Sequence, residues 1–233
     1  MSFLKDILPI FNSYPLPLIE HKEEREGIHS FIFDAKQMKP WKAGQHGIFS
    51  ITHKKIHKPL RPFSVASAYQ EHTVMVTMKI PNTPSAFKQA MLELTPGMTI
   101  KMRGPVGPLY IRKDAPTLLI AGGIGITPHR AILKDIIDNN TVTHPVILLY
   151  IANKDQHIYN DVLNEASHHK NIVINRLTDK TFLAKNIDDF LSTHPDAQVF
   201  LSGPKAMVKS FYKTLKKQGV KSKNIYKDTF YGY

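Results

Sequence analysis

Residues 117–128 read TLLIAGGIGITP, a short apolar run followed directly by a glycine-rich turn. The apolar residues predict a buried strand, because such runs bounded by turn residues are typical of parallel sheets. The glycines allow a tight turn and a close approach of the backbone to a ligand. Thr127 can cap a helix after the turn, and Pro128 suits the first position of that helix. A helix N-terminus at the carboxyl end of a strand favours binding of an anionic dinucleotide.

The same segment also fits a simpler interpretation, in which the small residues only pack a strand against the helix that follows it. A G-x-G-x-x-G pattern counted from Gly123 reaches Pro128 at its sixth position, so the segment is not the standard dinucleotide-binding fingerprint. The choice between the two interpretations therefore depends on the rest of the chain.

Downstream of this turn, apolar strands alternate with helices. Strands are predicted at 146–151, 172–177 and 198–202, and helices at 128–139, 160–166 and 205–217. This alternation indicates a doubly wound α/β domain with a parallel sheet, which we assign to residues 114–233.

Upstream of the turn, the pattern is one of short β-type runs separated by glycine, proline or polar clusters. The runs are 18–23, 28–33, 47–52, 63–66, 74–80 and 98–103, and one helix is predicted at 85–94, with Ser85 as its N-cap. Six short strands at this spacing predict an antiparallel β-barrel or sandwich over residues 1–113.

Composition excludes several classes of site. The chain has 233 residues and no cysteine, which rules out disulfides, thiolate zinc sites and cysteine-ligated iron–sulfur clusters on this chain. The histidines show no metal-ligand spacing, so we expect no metal site. No signal peptide or membrane span is expected, and a cysteine-free chain fits the cytoplasm.

Two further motifs carry candidate chemistry. Arg61-Pro62-Phe63-Ser64 offers a guanidinium for a pyrophosphate, an aromatic face and a hydroxyl. The segment Ser202-Gly203-Pro204, with Met207 after it, again follows a predicted parallel strand. Taken singly, each motif is explained equally well as an ordinary turn.

Taken in order, the motifs resemble the ferredoxin–NADP reductase superfamily. They are Arg61-Pro62-Phe63-Ser64, Gly104-Pro105-Val106-Gly107, the turn at 122–128, and Ser202-Gly203-Pro204 with Met207. The resemblance extends from residue 15 to the C-terminus. The segments VTMKI at 76–80, SAFK at 85–88 and TFYGY at 229–233 resemble the small bacterial and archaeal stand-alone reductases of this group.

The resemblance implies a barrel that binds FAD and an α/β domain that binds NAD(P)H as co-substrate. The implied flavin-site residues are Arg61, Pro62, Phe63, Ser64, Met78, Lys79, Ile80, Ser85, Ala86 and Phe87. The implied nucleotide-site residues are Gly123, Gly125, Ile126, Thr127, Ser202, Gly203, Pro204 and Met207. Ser64 and Ser202 are the candidate catalytic residues. Ser202 departs from the family, which usually has cysteine there. Phe230, Tyr231 and Tyr233 either cover a flavin face or pack the domains together.

The implied activity is hydride transfer between NAD(P)H and FAD, with electrons passed to a separate acceptor such as ferredoxin or flavodoxin. A ferric-siderophore or ferric-chelate reductase, and a low-activity flavin-binding subunit of a larger complex, stay open as alternatives. The net charge of +12 favours an acidic electron carrier as partner. The lysines of residues 205–227 and the cluster His53, Lys54, Lys55, His57, Lys58 and Arg61 are candidate docking surfaces, and the second is favoured. Nucleic-acid binding is not expected, since no nucleic-acid-binding module is recognised.

Overall fold

The computed structural model describes residues 8–140, 142–178 and 183–230. In the first of its two units, six strands form one antiparallel sheet. They are β1 Ser13–Arg25, β2 Ile28–Asp34, β3 His46–Ser50, β4 Leu60–Ser64, β5 Thr73–Lys79 and β6 Thr99–Val106, in the order β4-β3-β6-β1-β2-β5. Helix α1, Ala86–Leu92, lies between β5 and β6.

The two ends of this sheet meet just beyond β4. The Ala66 N–H donates to the Met75 carbonyl at 2.8 Å, and the Met75 N–H donates to Ser67 Oγ at 2.9 Å. These bonds join the segment after β4 to β5, so the sheet closes into a barrel. Phe31 and Phe33 on alternate positions of β2 fill its interior, as the period of two along a strand requires.

The first strand begins earlier in the structure than the sequence predicts, and two prolines explain the difference. We expected the first strand to begin at residue 18, but β1 begins at Ser13 and contains Pro15 and Pro17. Residues 13–17 pair only with β6, whereas the pairing with β2 starts at Leu18. The prolines therefore lie where one side of the strand has no partner, and a missing N–H there breaks no sheet hydrogen bond.

The second unit begins at Ile111 and has a five-stranded parallel sheet. Its strands are β7 Thr117–Gly122, β8 Val146–Ile151, β9 Ile172–Leu177, β10 Gln198–Pro204 and β11 Ile225–Phe230, in the order β11-β10-β7-β8-β9. Its helices are α2 Ile126–Asn139, α3 Asn160–Ser167, α4 Leu183–Thr193 and α5 Lys205–Lys217. The predicted fold class, a barrel followed by a doubly wound α/β unit, is confirmed.

Strand order places a crevice at the centre of this sheet. The chain runs from β7 outward to β8 and β9, then returns to place β10 on the other side of β7. The carboxyl ends of β7 and β10 therefore flank a topological switch point, where parallel sheets bind their ligands. The predicted dinucleotide turn lies at the end of β7, and Ser202-Gly203-Pro204 forms the end of β10.

Two elements of the second unit were missed by the sequence reading. Helix α4 has the periodic apolar residues Leu183, Ile187, Phe190 and Leu191, all buried, so its pattern was present. Strand β11 has a mixed polar sequence and lies at the sheet edge, where one row of backbone groups has no strand partner and burial is incomplete. Among the described residues, no helix is both long enough and apolar enough to span a bilayer.

His129 is a buried ionisable group at the start of α2. Its Nε2 lies 3.2 Å from the Ile120 carbonyl oxygen, and its Nδ1 has no hydrogen-bond partner among the described residues. Burial lowers the pKa of His129 from 6.5 to about 4. The folded protein therefore keeps this imidazole neutral at pH values where the unfolded chain protonates it.

We expect His129 to make stability fall on acidification. Because its folded pKa lies below the unfolded value, its contribution is complete above pH 6.5 and is lost progressively as the pH falls toward 4. Between pH 7 and 4.5 the loss from this group is about 2 kcal/mol. Urea titrations at both pH values should show the loss in the native protein, and His129→Gln, which can still donate to Ile120, should reduce it. An equal loss in the variant would contradict the assignment.

Candidate functional site

The turn after β7 touches the carboxyl end of β10 through the backbone. A Cβ atom added at Gly125 would overlap the carbonyl group of Ser202 and the Cα of Gly203, so no side chain fits between them. Gly122 is similarly covered by the side chain of Met207, and Gly203 has a φ of +145°, which favours glycine. The turn at 122–125 and the end of β10 at 202–204, about 80 residues apart in sequence, thus form one rim of the crevice.

The helix that starts at this rim has an open N-terminus. Residues Gly123–Gly125 form a short 3₁₀ turn, and α2 begins at Ile126 with Gly125 at the N-cap position and no side-chain cap. The prediction that Thr127 caps this helix is therefore wrong. The turn moves the helix start back by two residues, from the predicted Pro128 to Ile126, so the Thr127 hydroxyl lies inside the first turn and donates to the Ile124 carbonyl at 3.0 Å. The helix start has no capping side chain, the Ile126 N–H donates to the carbonyls of Gly123 and Ile124, and Pro128 has no N–H, so the positive end of the helix dipole is what this turn offers an anion.

Ser202 is the most informative side chain of this rim. It is fully buried at the end of β10, and its Oγ has no hydrogen-bond partner among the described residues. A buried hydroxyl without a partner is unfavourable by about 1–3 kcal/mol. The residues present therefore fit a site in which a polar ligand atom completes the hydrogen bonding of Ser202.

In the first unit, the structure brings the Arg61 and Ser85 motifs together. The Arg61 guanidinium carbon lies 5.9 Å from the centre of the Phe87 ring, and the Phe63 ring centre lies 5.6 Å from it. Arg61 Nη1 donates to the carbonyls of Lys58 and Leu60 at 3.0 and 2.8 Å, which fixes the loop before β4. The Phe87 side chain is buried in the barrel core, so only its backbone is available to a ligand.

Helix α1 contributes a cation, Lys88, that lies at the end of the neighbouring strand β5 and was not predicted from the sequence. Lys88 Nζ donates to the carbonyl of Lys79, the last residue of β5, at 2.5 Å. Burial lowers the pKa of Lys88, whose backbone N–H donates to Ser85 Oγ at 3.4 Å. A lysine three positions after the N-cap serine was the available signal. Of the other predicted flavin residues, Ser64, Met78 and Ile80 are buried, while Pro62, Lys79 and Ala86 are exposed.

The predicted C-terminal aromatics are only partly described. Phe230 ends β11 and lies beside Pro204 of β10 in the sheet register. Tyr231 and Tyr233 lie outside the described residues. Within the described ranges, no three histidine or carboxylate side chains group closely enough to hold a metal ion.

We expect Gly125→Ala to destabilise the second unit by about 3 kcal/mol, because the added methyl meets backbone atoms that cannot move away. Gly122→Ala should be milder, since the group it meets is the flexible end of Met207. The double variant Gly122→Ala/Met207→Ala should recover part of that loss. Thermal unfolding of all four proteins tests this. Equal melting temperatures for Gly125→Ala and the native protein would contradict the close approach.

Comparison with known proteins also indicates a dinucleotide-binding second unit. Residues 119–213 match the family model described as the oxidoreductase NAD-binding domain. The toluate 1,2-dioxygenase electron transfer component of Pseudomonas putida is 25% identical over 183 residues, which cover 73% of this chain and 54% of the relative. The chain thus spans about half the length of the curated relatives it matches.

Two solved structures share the fold over nearly the whole chain. The ferredoxin–NADP⁺ reductase of Plasmodium falciparum, described with 2′P-AMP, has a TM-score of 0.78 at 15% identity and covers 95% of this chain and 97% of its own. The flavohemoglobin of Malassezia yamatoensis, described with bound FAD and heme, has a TM-score of 0.76 at 18% identity and covers 94% and 60%. Residues 119–213 of the second unit thus match an oxidoreductase NAD-binding domain, and the chain shares the fold of these two structures.

Proposed function

We propose that the chain is a flavin-dependent oxidoreductase that transfers hydride between NAD(P)H and FAD and passes electrons to a separate acceptor such as ferredoxin or flavodoxin. The observation that carries the proposal is the rim of the β7–β10 crevice. It combines an uncapped helix N-terminus with the buried, unsatisfied hydroxyl of Ser202 among the described residues. Phosphate groups suit the first feature, and a polar group of the nicotinamide suits the second.

The second unit would hold the nicotinamide nucleotide. Gly123, Gly125, Ile126 and Thr127 would line its phosphates, because the glycines bring backbone N–H groups close to the ligand. Ser202 would orient the nicotinamide end through its hydroxyl. Gly203, Pro204 and Met207 would supply the wall beside it, where Met207 already fills the space over Gly122.

The first unit would hold FAD. Arg61 would pair with the pyrophosphate, as its guanidinium matches phosphate oxygens in a bidentate way. Phe63 would lie against the flavin, and Ser64 would hydrogen-bond near N5. Ser85 and Ala86 would approach the diphosphate through the backbone, with Phe87 buried beneath them. Met78, Lys79 and Ile80 would support the ribityl chain, and Phe230 with Tyr231 and Tyr233 would cover a flavin face.

The bound flavin would supply the redox chemistry, accepting a hydride and releasing single electrons. The protein's part is to bind and orient the two cofactors and to keep water out. No nucleophile or dedicated base is required, and the buried Ser64 hydroxyl would hold a hydrogen bond at the reacting edge. Its partner would be an acidic carrier, and a reducing compartment such as the cytoplasm suits the cysteine-free chain.

The proposal predicts a yellow protein whose flavin bands bleach on addition of a reduced nicotinamide nucleotide. Purified protein would be reconstituted with FAD, and visible spectra would be recorded anaerobically before and after NADH or NADPH. Bleaching by either nucleotide is the expected result. Absence of flavin absorbance after reconstitution would overturn the FAD assignment, while bound flavin that neither nucleotide bleaches would overturn the hydride path.

Arg61→Ala should weaken FAD binding about 10- to 150-fold, as expected for loss of a charge-assisted contact worth about 1.5–3 kcal/mol. Arg61→Lys keeps the charge but loses the planar fork, so its FAD affinity should fall between the two. Titration of apoprotein by flavin fluorescence measures all three. Arg103→Ala, an exposed arginine of β6, is the matched control and should bind FAD as the native protein does. Equal affinity of Arg61→Ala and the native protein would contradict the proposed contact.

A further inference from the structure

The positive charge of this protein is concentrated near the end of the chain. Residues 201–233 contain eight lysines and one acidic residue, Asp228, so one seventh of the chain carries +7 of the total +12. Residues 111–200 contain nine basic and ten acidic side chains. All eight lysines are exposed. The second unit is thus close to neutral except for α5 and the segment that follows it.

Four of these lysines share one face of α5. Lys205, Lys209, Lys213 and Lys216 fall within an arc of about 80° at 100° per residue, and the buried Val208 and Leu215 lie outside it. At a rise of 1.5 Å per residue the row is about 16 Å long.

A fifth lysine, Lys227 of β11, lies beside this row because it contacts Tyr212 of α5. Lys227 Nζ of β11 lies 4.0 Å from the centre of the Tyr212 ring, and the Tyr212 hydroxyl donates to Ser222 Oγ at 3.4 Å. We call the set Lys205, Lys209, Lys213, Lys216 and Lys227 the lysine face.

We propose that the lysine face is the docking surface for the acidic electron carrier, so that carboxylates of the carrier lie along α5. This inference rests on the proposed function, which requires a separate acceptor. A row of exposed, separated cations raises the rate of encounter with an oppositely charged protein surface. It does not suit a small anion, because the ammonium groups are spread along the helix and do not converge on one point.

The surroundings of the face favour a protein over a membrane or a nucleic acid. Among the described residues, the exposed large apolar side chains of the second unit reduce to Val173 on β9, at the opposite edge of the sheet from β11. The face therefore offers nothing to insert into a lipid layer. Lys227 lies over the Tyr212 ring, and Phe200 and Arg112 lie against the Tyr226 ring, which reduces the ring surface available to stacked bases.

The rival basic cluster of the first unit is partly neutralised. Lys54 Nζ donates to Glu93 at 2.5 Å, and His53 Nε2 lies 3.5 Å from the same carboxylate. The other members, Lys55, His57, Lys58 and Arg61, have no carboxylate partner among the described residues, and Arg61 donates to the carbonyls of Lys58 and Leu60. The sequence alone favoured this cluster, but the structure makes the lysine face the stronger positive surface.

The test compares three double variants of the full chain reconstituted with FAD. Lys209→Glu/Lys213→Glu reverses two exposed charges of the lysine face. Lys55→Glu/Lys58→Glu reverses two in the rival cluster, and Lys36→Glu/Lys39→Glu changes the net charge equally in an exposed loop. Reduction of a plant-type [2Fe–2S] ferredoxin and of a flavodoxin is followed at 20 and 300 mM salt. Flavin bleaching and reduction of menadione, a neutral quinone, report the reaction without docking.

We expect Lys209→Glu/Lys213→Glu to lower kcat/KM for a carrier at least about tenfold at 20 mM salt and about twofold at 300 mM, because screening shortens the reach of the charges. Bleaching and menadione reduction should stay within about twofold of native, as no binding residue is changed. The two other variants should lose less than about threefold for the carrier, since they affect only the general field of the protein.

Several results would overturn the inference. One is an equal loss in all three variants, and another is a larger loss in Lys55→Glu/Lys58→Glu. A third is a native protein that bleaches and reduces menadione but reduces neither carrier. Binding of the native protein to phosphatidylserine vesicles or duplex DNA, abolished by Lys209→Glu/Lys213→Glu while carrier reduction is unchanged, would assign the face to that polyanion. Absence of bleaching in the native protein would instead count against the proposed function.

Discussion

The backbone of Gly125 lies against the backbone of Ser202 and Gly203, and the geometry of the crevice depends on this contact. Because no Cβ fits there, the turn after β7 comes closer to the end of β10 than a side chain would allow. The start of α2 is thereby held at the switch point of the sheet, and Met207 packs over Gly122 and Gly203 from the start of α5. Strand order and three glycines, Gly122, Gly125 and Gly203, thus shape the crevice at the switch point, where parallel sheets bind their ligands.

The fold was largely readable from the sequence because local patterns and tertiary packing agree in both units. The strand at 146–151 and the helix at 205–217 were predicted with the bounds that the structure has. Disagreement arose where tertiary pairing decides. Pro15 and Pro17 look like strand breakers, yet they are accommodated because β1 pairs on one side only there. Strand β11 forms because it pairs with the edge of β10, and no local pattern in its sequence, IYKDTF at 225–230, predicts a strand.

The site was readable to a smaller extent. The motifs singled out two segments that come into contact, and three of their glycines, Gly122, Gly125 and Gly203, lie where close approach or a positive φ requires glycine. Whether a side chain points toward a ligand or toward the core is a tertiary property, and so Phe87 looked like a ligand contact although its ring is buried in the barrel. The Thr127 hydroxyl was misjudged for a related reason. A 3₁₀ turn at Gly123–Gly125 moves the start of α2, and glycine-rich sequence does not specify such a turn.

Ser202 connects stability to ligand binding. The reductase superfamily that the motifs resemble usually has cysteine at this position. A thiol is a weak hydrogen-bond donor that tolerates burial without a partner. A hydroxyl in the same place lacks that tolerance, because an unsatisfied buried hydroxyl is unfavourable by about 1–3 kcal/mol. In this chain the Ser202 Oγ has no partner among the described residues, which leaves that penalty uncompensated within them. A ligand atom that hydrogen-bonds to Ser202 removes it, and the energy recovered adds to the affinity for the ligand. A ligand that hydrogen-bonds to Ser202 would therefore gain more from this hydroxyl than from a cysteine thiol at the same position.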